Sequence, residues 1–170
     1  MGNVLVVIDM QNDFITGTLG TKEAQAILPM VAEKIKTYRN RGEEIVFTRD
    51  THDEGYLSTQ EGKNLPVVHC IRGTKGHEVS DLLEVGESFI IDKPSFGSLE
   101  LARHIADKKP KSIELCGVCT DICVVSNALI LKAMLPETPI RVDSKACAGV
   151  SPHKHEAALE TLRSCQIEVI

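Results

Sequence analysis

Ser112-Ile-Glu-Leu-Cys-Gly-Val-Cys-Thr-Asp-Ile-Cys123 passes from a short, mostly apolar run through a glycine into a segment whose helical pattern continues to Met134. Ser112–Cys116 is short for a helix but suits a buried strand, and a strand feeding directly into a helix is the repeating unit of a parallel sheet. The same alternation recurs on both sides of this stretch. Strand-like runs lie at Val4–Ile8, Glu44–Thr48, Ser88–Ile91, Ile140–Val142 and Gln166–Val169. Helical segments lie at Lys22–Arg41, His77–Leu83, Leu99–Lys108, Asp121–Met134 and Pro152–Ser164, several of them stopped by Gly or Pro. The pattern predicts an α/β fold built on a parallel sheet of five or six strands. No repeat, low-complexity tract or linker divides the 170 residues, so a single domain over residues 1–170 is expected. A chain of this size buries roughly 70% of the surface its unfolded form exposes.

With 42% hydrophobic and 25% charged residues, the composition is that of an ordinary globular protein rather than a disordered, fibrous or membrane chain. The net charge is −5, and Lys and Arg are scattered. They offer neither a stripe for a nucleic-acid backbone nor a polybasic membrane anchor, so no nucleic acid and no membrane partner is expected, and small molecules become the expected ligands. The apolar run Val4–Ile8 is too short for a signal sequence or a membrane span, and no positive charge precedes it. A cytoplasmic location is therefore expected, in which the six cysteines are read as thiols rather than disulfides.

In open parallel sheets, ligands bind beyond the carboxyl ends of the strands. Asp9 follows Val4–Ile8, Asp92-Lys93 follows Ser88–Ile91, and Gly117–Cys123 follows Ser112–Cys116. If these strands are neighbours, a carboxylate, an ammonium and a thiol meet on one rim. A thiol with an ordinary pKa near ~8.5 is scarcely ionised at neutral pH, and catalytic cysteines are helped by a helix N-terminus, a cation or a base. Cys123, in the first turn of the expected helix, has candidates for all three. Lys93 supplies the cation, and Asp9 is placed to accept the thiol proton and return it to a leaving amine. Taken singly, each residue also has a structural explanation: a loop-capping Asp, a solvated Lys, a core-filling Cys. The irregular stretch from Asp50 to Gly76 is the other departure from pattern. Within it Asp50, His52, Glu61 and His69 offer two imidazoles and two carboxylates, a mixed set suited to zinc, iron, manganese or cobalt, although that spacing alone also fits surface residues.

Val6-Val-Ile-Asp-Met-Gln-Asn-Asp-Phe14, Asp92-Lys-Pro-Ser-Phe-Gly97 and Gly117-Val-Cys-Thr-Asp-Ile-Cys-Val124 resemble the three signature segments of the isochorismatase-like cysteine hydrolases, and within that family the nicotinamidase branch. The resemblance implies a three-layer α/β/α, Rossmann-like fold with a mostly parallel six-stranded sheet, a triad of Asp9, Lys93 and Cys123, and a thioester intermediate on Cys123. It also implies a cis peptide between Val118 and Cys119, with the backbone N–H groups of Cys119 and Cys123 forming an oxyanion hole. Thr48-Arg-Asp-Thr-His52 and Leu65-Pro-Val-Val-His69 resemble two pieces of that branch's metal site. One divalent transition metal, zinc before iron, manganese or cobalt, is thereby implied at Asp50, His52, Glu61 and His69, with Glu61 standing in for a third histidine found in many members. Its role there is to position a pyridine ring nitrogen. Phe14 and Phe96 match aromatic positions near the family's substrate pocket, whereas Leu65 and Pro66 replace an aromatic common beside the metal histidine. The activity implied is hydrolysis of a small carboxamide, nicotinamide foremost, to its acid and ammonia. Another small amide or a carbamoyl compound is the nearest alternative, and assembly as a homodimer or homotetramer is implied as well.

Two readings from other classes stay open at this level. Cys116-x-x-Cys119-x-x-x-Cys123 has the spacing of a dithiol redox or iron–sulfur motif, although Cys116 ends an apolar strand and no fourth cysteine is near. A binding protein that keeps the fold without turnover would have no need of the triad, and all three of its residues are present. His153 and His155 are read as solvent-facing or capping, Cys70 as turned into the core, and Gly73-Thr-Lys-Gly76 as a turn rather than a phosphate loop.

Overall fold

In the computed structural model, which describes residues 2–170, six strands form one sheet: β1 (Val4–Ile8), β2 (Glu44–Asp50), β3 (Phe89–Lys93), β4 (Ile113–Val118), β5 (Ile140–Ala148) and β6 (Glu168–Val169). Their order is β3-β2-β1-β4-β5-β6, and every pairing is parallel. The helices α1 (Asn12–Ile15), α2 (Lys22–Asn40), α3 (Gln60–Asn64), α4 (Leu99–Lys108), α5 (Val125–Met134) and α6 (Pro152–Ser164) complete the expected three-layer α/β/α arrangement. Every residue of β1 and β4 is buried. A strand covered on both faces has no polar side to alternate with, which is why β1 stands out in the sequence as an unbroken apolar run and β4 as one broken only by Glu114. No described helix is long and apolar enough to cross a membrane.

Chain order sets a switch point. From β1 the chain steps outward through β2 and β3, then returns to lay β4 against the other edge of β1. The connections leaving β1 and β4 diverge there, and a crevice opens beyond their carboxyl ends. At this junction the backbones of β1 and β4 approach closely. Gly117 has φ +118°, and a Cβ added to it would collide with the Ile8 carbonyl. Gly117→Ala is therefore expected to destabilise the protein by about 2 kcal/mol or more, read from its chemical denaturation midpoint. An unchanged midpoint would show that the two strand ends can part at little cost.

Packing over the sheet follows from the sequence of α2. Thr21 caps it by accepting from the Ala24 N–H at 3.0 Å, and Ala24, Ile27, Leu28, Val31, Ile35 and Tyr38 form one buried stripe. Each large aliphatic residue in that stripe contributes about 1.5–3 kcal/mol. Under the stripe's far end lies the buried carboxylate of Glu114. It is compensated by the Tyr38 hydroxyl at 2.9 Å, Arg141 Nε at 2.8 Å and an ion pair with Lys34.

Local reading fails in three places. His77–Leu83 is a series of turns, not a helix, because its backbone groups are bonded to the loop after β1: Asn12 N–H donates to Glu78 O, and Ser80 N–H to Met10 O. β5 continues past the polar Asp143-Ser-Lys145 to Ala148, since a register shift against β4 lets Cys147 and Ala148 pair with Gly117 and Val118. The helix expected from Asp121 opens instead as a π-helical turn, Thr120–Val124, which carries Cys123 into α5.

Candidate active site

Asp9 sits one residue beyond β1 in a left-handed conformation, φ +49°. Its N–H donates to Thr48 Oγ1 at 3.2 Å, and the Thr48 hydroxyl donates to Asp9 Oδ1 at 2.6 Å, so β2 holds the carboxylate on both sides. Lys93 ends β3, two strands away, yet its side chain is fully buried. Its ammonium lies 2.6 Å from Asp9 Oδ2, 3.4 Å from Asp50 Oδ1 and 3.4 Å from Cys123 Sγ, and it donates to Ser95 O at 3.2 Å. One cation thus touches carboxylates from β1 and β2 and the sulfur in the turn after β4. The peptide between Val118 and Cys119, at the head of that turn, is cis.

The protonation state differs from what sequence position suggests. Burial lowers the Lys93 pKa, but the charges of Asp9 and Asp50 and the hydrogen bond to Asp9 outweigh it and hold the group protonated well above its ordinary range. Burial pushes the Asp9 carboxyl up, Lys93 pulls it down, and Asp50 adds to the upward shift. Cys123 is raised well above an ordinary thiol, first by burial and then by the Asp9 charge, with Lys93 only partly opposing. Burial thus shifts the Cys123 thiol and the Asp9 carboxyl in the same direction, toward their protonated forms, with Lys93 opposing both. Helix position and one lysine favour a thiolate; burial first, and the Asp9 carboxylate second, act against it.

A second cluster adjoins the first through Asp50. Ligand atoms of Asp50, His52, Glu61 and His69 all lie within 4.8 Å of one another. Asp50 Oδ2 is 2.9 Å from His52 Nε2 and 3.4 Å from His69 Nε2, and Glu61 Oε1 is 3.6 Å from His52 Nε2. His69 Nδ1 is 2.7 Å from the Val67 carbonyl, which can only accept. Nδ1 therefore donates to it and leaves Nε2 facing Asp50, where it donates to that carboxylate when protonated and offers a lone pair to a metal once deprotonated. Burial alone would raise the Asp50 pKa, but hydrogen bonds from His52 and His69 and the Lys93 charge hold it well below the usual carboxylate range. Glu61 moves the other way, raised by burial and by the Asp50 charge, a second carboxylate that a divalent cation would satisfy. Two nitrogen and two carboxylate donors at this spacing fit a transition metal.

The isochorismatase domain model matches residues 3–170 of the sequence. The chain belongs to the isochorismatase family. The solved pyrazinamidase of Pyrococcus horikoshii in complex with zinc is 31% identical to it, with a TM-score of 0.87 over 100% of this chain and 99% of that one. The pyrazinamidase/nicotinamidase of Streptococcus mutans gives a TM-score of 0.88 at 29% identity, covering 99% and 100%. Nicotinamidase 1 of Arabidopsis thaliana is 30% identical over 90% of this chain and 72% of its own length. Family, fold and cluster make this protein a metal-binding hydrolase of the amidohydrolase type.

Several residues of this isochorismatase-family site escape sequence reasoning. Gln11, fully buried, grips the Asp50 peptide from both ends: its Oε1 accepts from Asp50 N at 2.7 Å, and its Nε2 donates to Asp50 O at 2.8 Å and to His77 O at 2.9 Å. Tyr56 packs against His52 and His69 with centroid distances of 4.5 and 5.0 Å and donates to Leu65 O at 2.9 Å, bracing both imidazoles. Thr59 caps α3 through Gly62 N–H and so places Glu61. Gln11 lies inside the first quoted segment, but nothing in its spacing says which peptide it holds. Cys70 is buried outside the cluster, as its neighbour His69 turns inward. Cys116 is enclosed in β4, while His153 is exposed and His155 Nδ1 is 2.8 Å from Thr120 Oγ1.

A cavity of about 420 Å³ joins the two clusters. Asp50, Glu61 and His69 face it on one side, Cys119 and Cys123 on another, and both Phe14 and Phe96 line it. The Phe14 ring packs on His69 at 5.6 Å, whereas Phe96 is 43% exposed and stands at the mouth. Leu65, where the family commonly has an aromatic nearby, lines the cavity too.

Proposed function

We propose that the protein hydrolyses a small carboxamide, nicotinamide foremost, to the carboxylic acid and ammonia through a thioester on Cys123. The observation that carries this reading is the single buried ammonium of Lys93 in contact with both the Asp9 carboxylate and the Cys123 sulfur. Asp9 takes the thiol proton as sulfur attacks the amide carbonyl, forming a C–S bond. Lys93, charged throughout, keeps the anionic form of each neighbour accessible in a site that burial would otherwise neutralise. The backbone N–H groups of Cys119 and Cys123 hold the oxyanion. The C–N bond then breaks, the nitrogen leaves as ammonia with the proton held by Asp9, and Asp9 next deprotonates a water that cleaves the thioester.

A divalent metal at Asp50, His52, Glu61 and His69 would supply a Lewis-acidic anchor for a ring nitrogen, a positioning contribution. Relatives named nicotinamidase or pyrazinamidase support nicotinamide as substrate, and Phe14 and Phe96 offer faces for a planar ring. A cytoplasmic setting accords with six free cysteines, one of them the nucleophile. The test is ammonia release from nicotinamide, pyrazinamide and aliphatic amides. Turnover of the two ring amides is expected, and absence of ammonia from every amide overturns the reading.

A further inference from the structure

We infer that Lys154 provides a subsite for a second, anionic group, a carboxylate above all, remote from the scissile amide, so that amides carrying one are favoured over neutral amides of the same shape. This rests on the amidase reading above and names the substrate class within it. Lys154 lines the same cavity as Cys123, Asp50 and Phe96. It enters from the junction of β5 and α6, whereas the four metal-binding candidates come from the end of β2 and the loop beyond. In the sheet order β2 and β5 flank the central pair β1 and β4, so the two groups arrive from opposite sides of the switch-point crevice. A substrate whose ring is anchored on the metal side extends toward Lys154.

Three observations give this lysine more weight than an ordinary surface cation. First, its position relative to the nucleophile is fixed. Val150 N–H donates to Asp121 Oδ1 at 2.9 Å, and His155 Nδ1 is 2.8 Å from Thr120 Oγ1, so the segment bearing Lys154 is tied at both ends to the turn bearing Cys123. The Ser151 hydroxyl accepts from the Lys154 N–H at 3.3 Å and sets the start of α6. Second, its charge is unanswered. Lys93, Asp50 and Glu61 face one another or the imidazoles. Among the described residues no carboxylate lies within ion-pairing distance of Lys154, and the first turn of α6 holds no acidic residue in a chain of net charge −5. Third, there is room. A cavity of about 420 Å³ lies in the range of roughly 300–1,000 Å³ typical of sites for ligands larger than a single ring. Lys154 is itself exposed, and Leu19, Leu65, Phe96, Ile122 and Val150 share the cavity lining with it, so a ligand there meets mostly apolar surface and one accessible cation.

The test compares ring-carboxylated nicotinamides with their acetyl counterparts, which match them in shape but carry no charge, using ammonia release from the wild-type enzyme and from Lys154→Gln, Lys154→Glu and Lys154→Arg. In the wild type, kcat/KM is expected to favour at least one carboxylated amide over its acetyl partner. That ratio should fall about fivefold in Lys154→Gln and further in Lys154→Glu, persist in Lys154→Arg, and shrink with added salt. A merely structural role would move both compounds together and leave the ratio alone. Absence of any carboxylate preference in the wild type, rejection of every carboxylated amide while nicotinamide is turned over, or a ratio that survives Lys154→Glu each overturns the proposal while sparing the amidase reading. If the wild type releases ammonia from none of these compounds, nicotinamide included, the amidase reading fails and the proposal falls with it.

Discussion

Cys123→Ala is expected to lower kcat for amide hydrolysis by about 10⁴-fold or more, with Asp9→Asn close behind. In the proposed mechanism the two share one chemical step: sulfur cannot attack while it keeps its proton, and burial together with the Asp9 charge pushes the thiol's pKa up. In that mechanism Asp9 is the acceptor, and burial raises its pKa. Asn at position 9 keeps the shape but neither accepts that proton nor balances Lys93, which would then lie buried against Cys123 with Asp50 as its remaining carboxylate. Cys119→Ala supplies the contrast. Burial and the Asp121 charge push the Cys119 thiol up to about 12, and it is Cys123 that Lys93 contacts. If Cys119 contributes only its backbone N–H, its side chain can be shortened with a loss of about tenfold at most. Ammonia release at saturating amide measures the rates, and mass spectrometry after incubation with pyridine-3-carboxaldehyde should find the adduct on Cys123 in the wild type. Equal damage from Cys119→Ala and Cys123→Ala would mean that the wrong sulfur has been assigned.

Loss of the metal site should produce the next largest effect. Purified protein is expected to carry about one transition metal per chain. His52→Ala should reduce that content sharply and lower kcat/KM for a ring amide by about 100-fold, the scale on which misplacing a substrate acts. His52 is 8% exposed, packed at a tilt against Tyr56 and edge-on to His69, and 2.9 Å from the Asp50 carboxylate. Its removal leaves Asp50 and Glu61 facing each other with one imidazole fewer between them. Elemental analysis and kinetics of the variant, alongside wild type stripped by chelator and resupplied with zinc, separate metal loss from misfolding. Full activity in metal-free wild type would sink the positioning role.

The parts legible in the sequence share a physical cause. β1, β2 and β4 are recognisable because strands buried on both faces are mostly apolar, and Asp9 stands out because it closes such a run with a charge, while Asp50 and Lys93 follow the apolar stretches of β2 and β3 by one or two polar residues. β5 was legible only over Ile140–Val142. Beyond that, its pairing is decided by the neighbouring strand rather than by its own polar residues. The segment His77–Leu83 has helix-compatible spacing, yet hydrogen bonds to the loop after β1 outweigh that weak local preference. Glu61 was recognisable as a donor of the right type, but Thr59, Gly62 and Tyr56, which place it, carry no marker of that task in their order along the chain.

By itself, the sequence determined the α/β class, the carboxyl-end rim as the place for chemistry, and the residue types gathered there, because burial and chain direction are written in local pattern. Tertiary structure alone decided that β3 lies two strands from β1, so that Lys93 reaches across to meet Asp9, Asp50 and Cys123. It decided that Asp50 belongs to both clusters, that burial pushes the Cys123 thiol up, and that Lys154 shares the cavity. Strand order, desolvation and the sum of neighbouring charges depend on residues far apart in the chain, and no local pattern encodes them.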